Sequence, residues 1–340
     1  MRTRRGILYP VAGAPTMNSR KRLKLSSPGF NFFNILPDDI VLSILVRVGS
    51  TADCPADFVS ALATCKRFND LGLNSVVLSK VSAETFAMKA ESWSACVHRF
   101  LQRCSDAGNV EAAYTLGMIQ FYCFQNRRNG AALMAKAAIR SHAPALYSLA
   151  IIQFNGSGGS KNVKDLIGGV ILCARAAFLG HIDALRELGH CLKDGYGIGK
   201  NITEGQRFLI EANARELAAI CSKHSSGFMS GHRLRGANPA VTCSHLISDF
   251  GFNLPPPKSH PSNRFLASWF ADRIPDPALR VCSYAGCGRP ETRMHEFRRC
   301  SVCGVNNYCS RGCQARDWTM GHTKSCSPSV RVLNINAGAQ

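Results

Sequence analysis

Ala112-Ala113-Tyr114-Thr115-Leu116-Gly117 returns as Ala145-Leu146-Tyr147-Ser148-Leu149-Ala150 and again as Ala184-Leu185-Arg186-Glu187-Leu188-Gly189. A second series, Ala135-Lys136-Ala137-Ala138-Ile139-Arg140-Ser141-His142, recurs 39 residues later as Ala174-Arg175-Ala176-Ala177-Phe178-Leu179-Gly180-His181. The two series alternate, so each unit holds two helices, with small residues where they cross closely. Gly156-Ser157-Gly158-Gly159-Ser160 and Gly195-Tyr196-Gly197-Ile198-Gly199 break the first helix of a pair and turn the chain into the second. A period of 33 to 39 residues built this way predicts an α-solenoid, in which each unit buries its apolar face against its neighbours. The fold is therefore expected to be mainly α, with helical repeats over residues 91 to 221.

Neither glycine-rich loop suits a phosphate. Asp194 stands where a phosphate loop needs Gly, and Asn201 follows Lys200 where Ser or Thr is needed. His142 and His181 hold equivalent repeat positions and read as structural caps rather than ligands or bases. The units resemble the Sel-type relatives of tetratricopeptide repeats, about three of them over residues 109 to 215, one shortened near Cys123 to Asn129. The resemblance implies a surface for peptides or proteins.

Past the repeats, residues 222 to 279 are rich in Ser, Gly, Pro and His, including Pro255-Pro256-Pro257, and read mainly as a spacer. Within it Phe265, Leu266, Trp269 and Phe270 make a short amphipathic stretch expected to dock on the repeats or on the module that follows. That module, residues 280 to 327, carries Cys282-x4-Cys287, Cys300-x2-Cys303, Cys309-x3-Cys313 and His322-x3-Cys326; residues 328 to 340 form a tail. Thiolates two to four residues apart chelate one ion from a single turn, and four ligands complete a tetrahedral zinc site. Eight ligands make two zinc ions, both closed and structural. A disulfide framework would leave seven cysteines as an odd number. In so small a module metal binding supplies most of the folding free energy. Arg280, Arg289, Arg293, Arg298, Arg299, Arg311 and Arg316 are expected to soften the repulsion among gathered thiolates.

Tyr308-Cys309-x3-Cys313-Gln314-x2-Asp317-Trp318-x3-His322-x3-Cys326, after two Cys pairs, is similar to a MYND zinc finger over residues 282 to 326. The family fold interleaves its sites, which implies Cys282, Cys287, Cys309 and Cys313 on one zinc and Cys300, Cys303, His322 and Cys326 on the other. The first spacing, x4 rather than the commoner x2, departs from the pattern. MYND fingers act mainly in protein contacts, often with Pro-containing peptides. By resemblance Gln314 and Trp318 help form the peptide groove, while Trp318 equally suits packing of the last helix on the metal core. Nucleic acid is the weaker partner, since few exposed aromatics interleave the Arg residues.

Residues 34 to 90 read as short helices. Pro37, Asp38 and Asp39 open the first, whose Ile40, Val41, Ile44, Leu45 and Val48 recur at helical spacing before Gly49. A second helix is expected from about Ala56 to Asn69, and a third over Val76, Val77 and Leu78. Leu36-Pro37-Asp38-Asp39-Ile40, Ile44-Leu45, Val59, Leu62 and Cys65-Lys66-Arg67-Phe68 look like an F-box, the module that docks on the Skp-type adaptor of cullin ubiquitin ligases. Asp39 and Phe68 stand where Glu and Trp are frequent. The resemblance implies Leu36, Pro37, Ile40, Ile44, Val59, Leu62 and Phe68 as apolar anchors in the adaptor groove. Otherwise the same residues pack against the repeats.

The chain has 340 residues and a net charge of +19, from 41 Lys and Arg against 22 Asp and Glu, which favours acidic partners without identifying one. Residues 1 to 37 hold seven basic and no acidic side chains. This start, 1 to 33, reads as a disordered basic tail in which Arg20-Lys21-Arg22-Leu23-Lys24 suits a nuclear import signal, a secretory or transit peptide being the competing reading. No apolar run is long enough to span a bilayer, and the nine scattered cysteines suit a reducing compartment, nucleus or cytoplasm. The whole resembles plant F-box proteins with a C-terminal MYND finger. That implies a non-catalytic substrate receptor, in which the F-box holds the Skp-type adaptor and through it a cullin while repeats and finger hold the target. A nuclear scaffold or corepressor-type regulator acting through the finger is the alternative. An enzyme is poorly supported: no cofactor loop, Ser/His/Asp constellation or open metal site is found.

Overall fold

The computed structural model describes residues 33, 35–225, 248–251, 258–273 and 278–328. The basic run at 20–24, the proline triplet at 255–257 and the tail from 329 onward lie outside the described residues. The chain divides into a first unit ending at Pro37 and a second from Asp38 onward. The second is described below.

Four short helices come first: α1 (Asp38–Thr51), α2 (Pro55–Ala63), α3 (Lys66–Gly72) and α4 (Ser75–Leu78). The single helix expected from Ala56 to Asn69 is thus two. Cys65 turns extended and its Sγ accepts the Phe68 amide at 3.4 Å, starting α3. Val41, Leu45, Phe58, Leu62, Val77 and Leu78 are buried, and the core continues without a break into α5 (Ala95–Asp106), where Phe100 meets the rings of Phe58 and Phe86.

Three helical hairpins follow: α6 (Val110–Tyr122) with α7 (Arg127–Ile139), α8 (Ala143–Asn155) with α9 (Leu166–Phe178), and α10 (Ile182–Asp194) with α11 (Ile202–Ser225). The pairs close tightly through glycine. A methyl group on Gly117 would lie 2.9 Å from the Gly130 carbonyl oxygen, and one on Gly189 would lie 2.8 Å from that of Gly205. Every first helix is capped from one repeat position. The Asn109 carboxamide oxygen accepts the Ala112 amide, and His142 and His181 Nδ1 accept those of Ala145 and Ala184. The histidines therefore cap the helix that follows rather than end the one before. Asn109 also donates to the Leu78 and Val81 carbonyls at 2.9 and 2.8 Å, bolting the N-terminal helices to the first repeat.

α12 (Pro261–Asp272) lies against α6, burying Phe265 and Leu266, with Trp269 stacked on Phe265 and edge-on to Phe124. Its residues sit in a stretch whose composition suggests a spacer. The C-terminal module is a two-residue hairpin, β1 (Arg298–Arg299) antiparallel to β2 (Asn307–Tyr308), with α13 (Arg311–Asp317) packed on α10.

Candidate metal centres and interaction surfaces

Eight side chains of the C-terminal module converge as two sets of four. One ligand atom from each of Cys282, Cys287, Cys309 and Cys313 lies within 4.8 Å of the others, and so do those of Cys300, Cys303, His322 and Cys326. In the first set Cys309 Sγ is 3.6 Å from Cys287 Sγ and 3.5 Å from Cys313 Sγ. In the second, Cys300 and Cys326 Sγ are 3.8 Å apart and His322 Nε2 is 3.5 Å from Cys300 Sγ. These separations are far too long for disulfides. They match the edges, about 3.8 Å, of a tetrahedron around a metal bound to sulfur at about 2.3 Å. The donor set fits two such cations with no protein ligand missing. All but Cys326 are buried. Tyr308 donates to Asp317 at 2.6 Å, holding α13 to the hairpin beside His322.

The arginines do something other than the sequence suggests. Among the described contacts, only Arg289 of the seven reaches these thiolates, its Nη1 lying 3.7 and 3.9 Å from Cys287 and Cys309 Sγ, while Nη2 donates to Ser148 of α8 at 2.7 Å. Arg316 pairs with Asp183 at 2.8 Å, and Arg311 with Asp194. Arg293 donates to the Asn155 and Gly156 carbonyls at 2.5 and 3.0 Å. Glu187 of α10 accepts the Arg311 amide at 2.8 Å. The Gly156–Ser160 loop, excluded as a phosphate site, receives the finger: Gly158 donates to Thr292 at 2.7 Å and Ser157 to Glu296. The metal module is therefore seated on the repeats along α8 and α10.

At the other end, Ile40 and Val59 are 44% and 54% exposed, and Ile44 and Phe68 are half-buried. Leu62 is turned inward against Gly72, so its side chain belongs to the core of these helices. Leu36 is half-buried and Pro37 exposed, at the end of the first unit.

Residues 84–185 match the plant tetratricopeptide repeats and residues 282–326 the MYND finger. An F-box protein of Arabidopsis thaliana is 57% identical over 346 residues, covering 99% of this chain and 89% of that protein. A second from the same plant is 54% identical over 316 residues, covering 92% and 90%.

The chain belongs to this family of F-box proteins.

Among solved structures, a Sel1 repeat protein from Oxalobacter formigenes is similar over 37% of this chain and 95% of that one, at 22% identity and a TM-score of 0.32.

In this F-box protein Trp318 is half-buried, 5.4 Å from Phe250 and 5.7 Å from His322 by ring centroids, and Gln314 is half-buried on α13. Sequence reasoning missed a third cluster, Glu111, His142 and His260. The two Nε2 atoms lie 3.1 and 3.0 Å from the Glu111 carboxylate. Each Nδ1 accepts a backbone amide, from Ala145 and Ser262, so in the neutral ring the proton sits on Nε2, which in His260 hydrogen-bonds Glu111 and in His142 lies 3.1 Å from it without completing a hydrogen bond. That tautomer donates and does not ligate. The cluster is a staple: burial opposes ionisation of Glu111, yet the two histidines beside it outweigh that and hold the carboxyl well below the usual range.

The cap at His181 carries a pH dependence. Burial brings its imidazole down to about 4, with Asp183 pulling the other way and Arg316 and Arg289 adding to the drop. Between pH 6.5 and 4 the unfolded chain binds a proton that the folded chain refuses, so stability falls as pH falls through that window. The loss is on the order of 1 to 2 kcal/mol for this half-buried ring. Thermal melts of His181→Asn, which keeps an uncharged cap, are expected to show a flatter slope over that range.

Proposed function

We propose that this F-box protein is the non-catalytic substrate-recognition subunit of a Skp-cullin-F-box ubiquitin ligase. The observation that carries the reading is the exposure of Ile40 and Val59 on helices whose other large apolar residues are buried or half-buried. Two large aliphatic side chains in water on one small module suit an adaptor groove. Ile44 and Phe68 would border that contact, with Leu62 supporting it from within; Leu36 and Pro37, in the first unit, are anchors by resemblance alone. The eight-ligand donor set suits two structural zinc ions, which supply rigidity and no vacant coordination position for chemistry. Gln314 and Trp318 lie on a half-exposed surface of the finger that would meet a protein target or a Pro-containing peptide. Exposed thiols at Cys65 and Cys96 suit the nucleus and cytoplasm, where cysteines stay reduced. A corepressor-type scaffold would use the same finger surface but has no use for bare Ile40 and Val59.

The test is ubiquitin transfer in a reconstituted ligase, read on lysines of this chain. Wild type supports transfer. Ile40→Asp with Val59→Asp is expected to lower it by more than about a hundredfold, because an unpaired charge buried in the groove costs about 3 to 5 kcal/mol. Equal transfer by both proteins would remove the reading.

A further inference from the structure

The first helices of the three repeats are covered by the chain itself. α12 lies on α6, Arg289 reaches Ser148 of α8, and α13 packs on α10. A partner of the repeats must therefore use the second helices. On these, α9 has two apolar sides. Val170, Cys173, Ala176 and Ala177 are buried, whereas Ile167, Ile171 and Phe178 are 66%, 63% and 88% exposed. The exposed residues share one stripe with Arg175, about 16 Å long at 1.5 Å per residue. A helix that is apolar all round is a buried helix, so this one lacks its cover. The position equivalent to Phe178 in the preceding repeat, Ile139, is 76% exposed as well.

Charge identifies what covers it. α7 and α9 contain Arg127, Arg128, Lys136 and Arg175 and no acidic residue. Arg140 follows α7 and donates to the Gly108 carbonyl at 2.7 Å, and Arg215 of α11, beside the Gly180 turn at the foot of Phe178, is paired with Glu211 at 2.7 Å, so Arg175 is the cation on the stripe itself and Arg128 an exposed one on the neighbouring α7. The nearby Asp165 is engaged as the α9 cap, accepting the Gly168 amide at 2.8 Å. A second copy of this chain would bring the same cations face to face.

We infer that the Ile167, Ile171, Phe178 ridge is a docking surface for an acidic amphipathic helix of a partner protein, its apolar side on α9 and its carboxylates against Arg175 and the flanking arginines. The inference rests on the receptor reading, because it assigns the target to this face.

Full-length protein loaded with zinc is panned against a displayed library of helical peptides of about 16 residues, matched to the stripe at 1.5 Å per residue. Enriched peptides are expected to pair apolar residues at helical spacing with Asp and Glu. They should lose at least about tenfold in affinity, roughly 1.4 kcal/mol, for Ile171→Glu with Phe178→Glu, and weaken with salt. No enrichment, or enriched peptides that bind the double variant equally, would overturn the inference. So would sedimentation showing a wild-type dimer that the variant abolishes. Both substituted residues are exposed and lie away from α1 and α2, so the variant keeps ubiquitin transfer onto its own lysines; a loss of transfer through Ile40 and Val59 speaks instead to the receptor reading.

Discussion

Chelation of the full-length protein is expected to unfold the finger and, with it, to loosen α8 and α10. The module has two strands of two residues and a seven-residue helix continued by short helical turns to Ser325, too little to hold eight buried or half-buried ligands together without metal. Structural zinc sites contribute about 10 to 16 kcal/mol each to folding, comparable with the whole stability of a domain. Once the finger opens, the pairs it makes with the repeats lose their register. Asp183 is left without Arg316, and Glu187 without the Arg311 amide. Glu187 is already held above its ordinary range by burial, which Arg311 only partly offsets. Hydrogen exchange should show protection collapsing over residues 282–326 and dropping along α8 and α10, while α1 to α4 stay protected. Unchanged protection in α10 after metal removal would mean that the finger hangs free of the repeats.

Arg289→Ala has the second largest expected effect. The guanidinium is 4% exposed and joins two partners that nothing else among the described contacts brings together, the Cys287 and Cys309 thiolates and the Ser148 hydroxyl. Ser148 is also within 2.9 Å of the Tyr114 hydroxyl, so the loss reaches the first repeat. Removing one member of a buried charged network leaves the other uncompensated, at about 3 to 5 kcal/mol. In a chain of this size that lowers the melting temperature by roughly 4 to 7 °C. Arg299→Ala, an exposed arginine of the same module, is expected to change stability by about 0.5 kcal/mol or less. Thermal denaturation of the two variants checks the contrast; similar melting temperatures would make Arg289 dispensable.

What was legible in the sequence was local. The repeat pairs announce themselves because small and apolar residues recur at fixed spacing within each hairpin, and the metal ligands because chelation needs close pairs. The interleaving of those pairs came from resemblance to the MYND finger and is the arrangement the structure has. The break between α2 and α3 was hidden because Phe58, Leu62, Cys65 and Phe68 keep an apolar rhythm across it, whereas the cap at Cys65 leaves no such rhythm. The seat of the finger was hidden for a different reason. Arg311 and Asp194, or Arg289 and Ser148, are more than a hundred residues apart, and an arginine near thiolates reads as their counterion until the fold places it. The staple at Glu111 was equally out of reach, since His142 carries the repeat register but His260 comes from a stretch that composition assigns to a spacer.

The central claim is that the N-terminal helices hold a ligase adaptor while the rest of the chain presents a target. Calorimetric titration of purified Skp-type adaptor into the zinc-loaded full-length protein tests it most directly. Saturable one-to-one binding is expected, lost with Ile40→Asp and Val59→Asp and kept with Ile171→Glu and Phe178→Glu. Folded wild-type protein that takes up no adaptor, or a charged variant that binds as well as wild type, would contradict it.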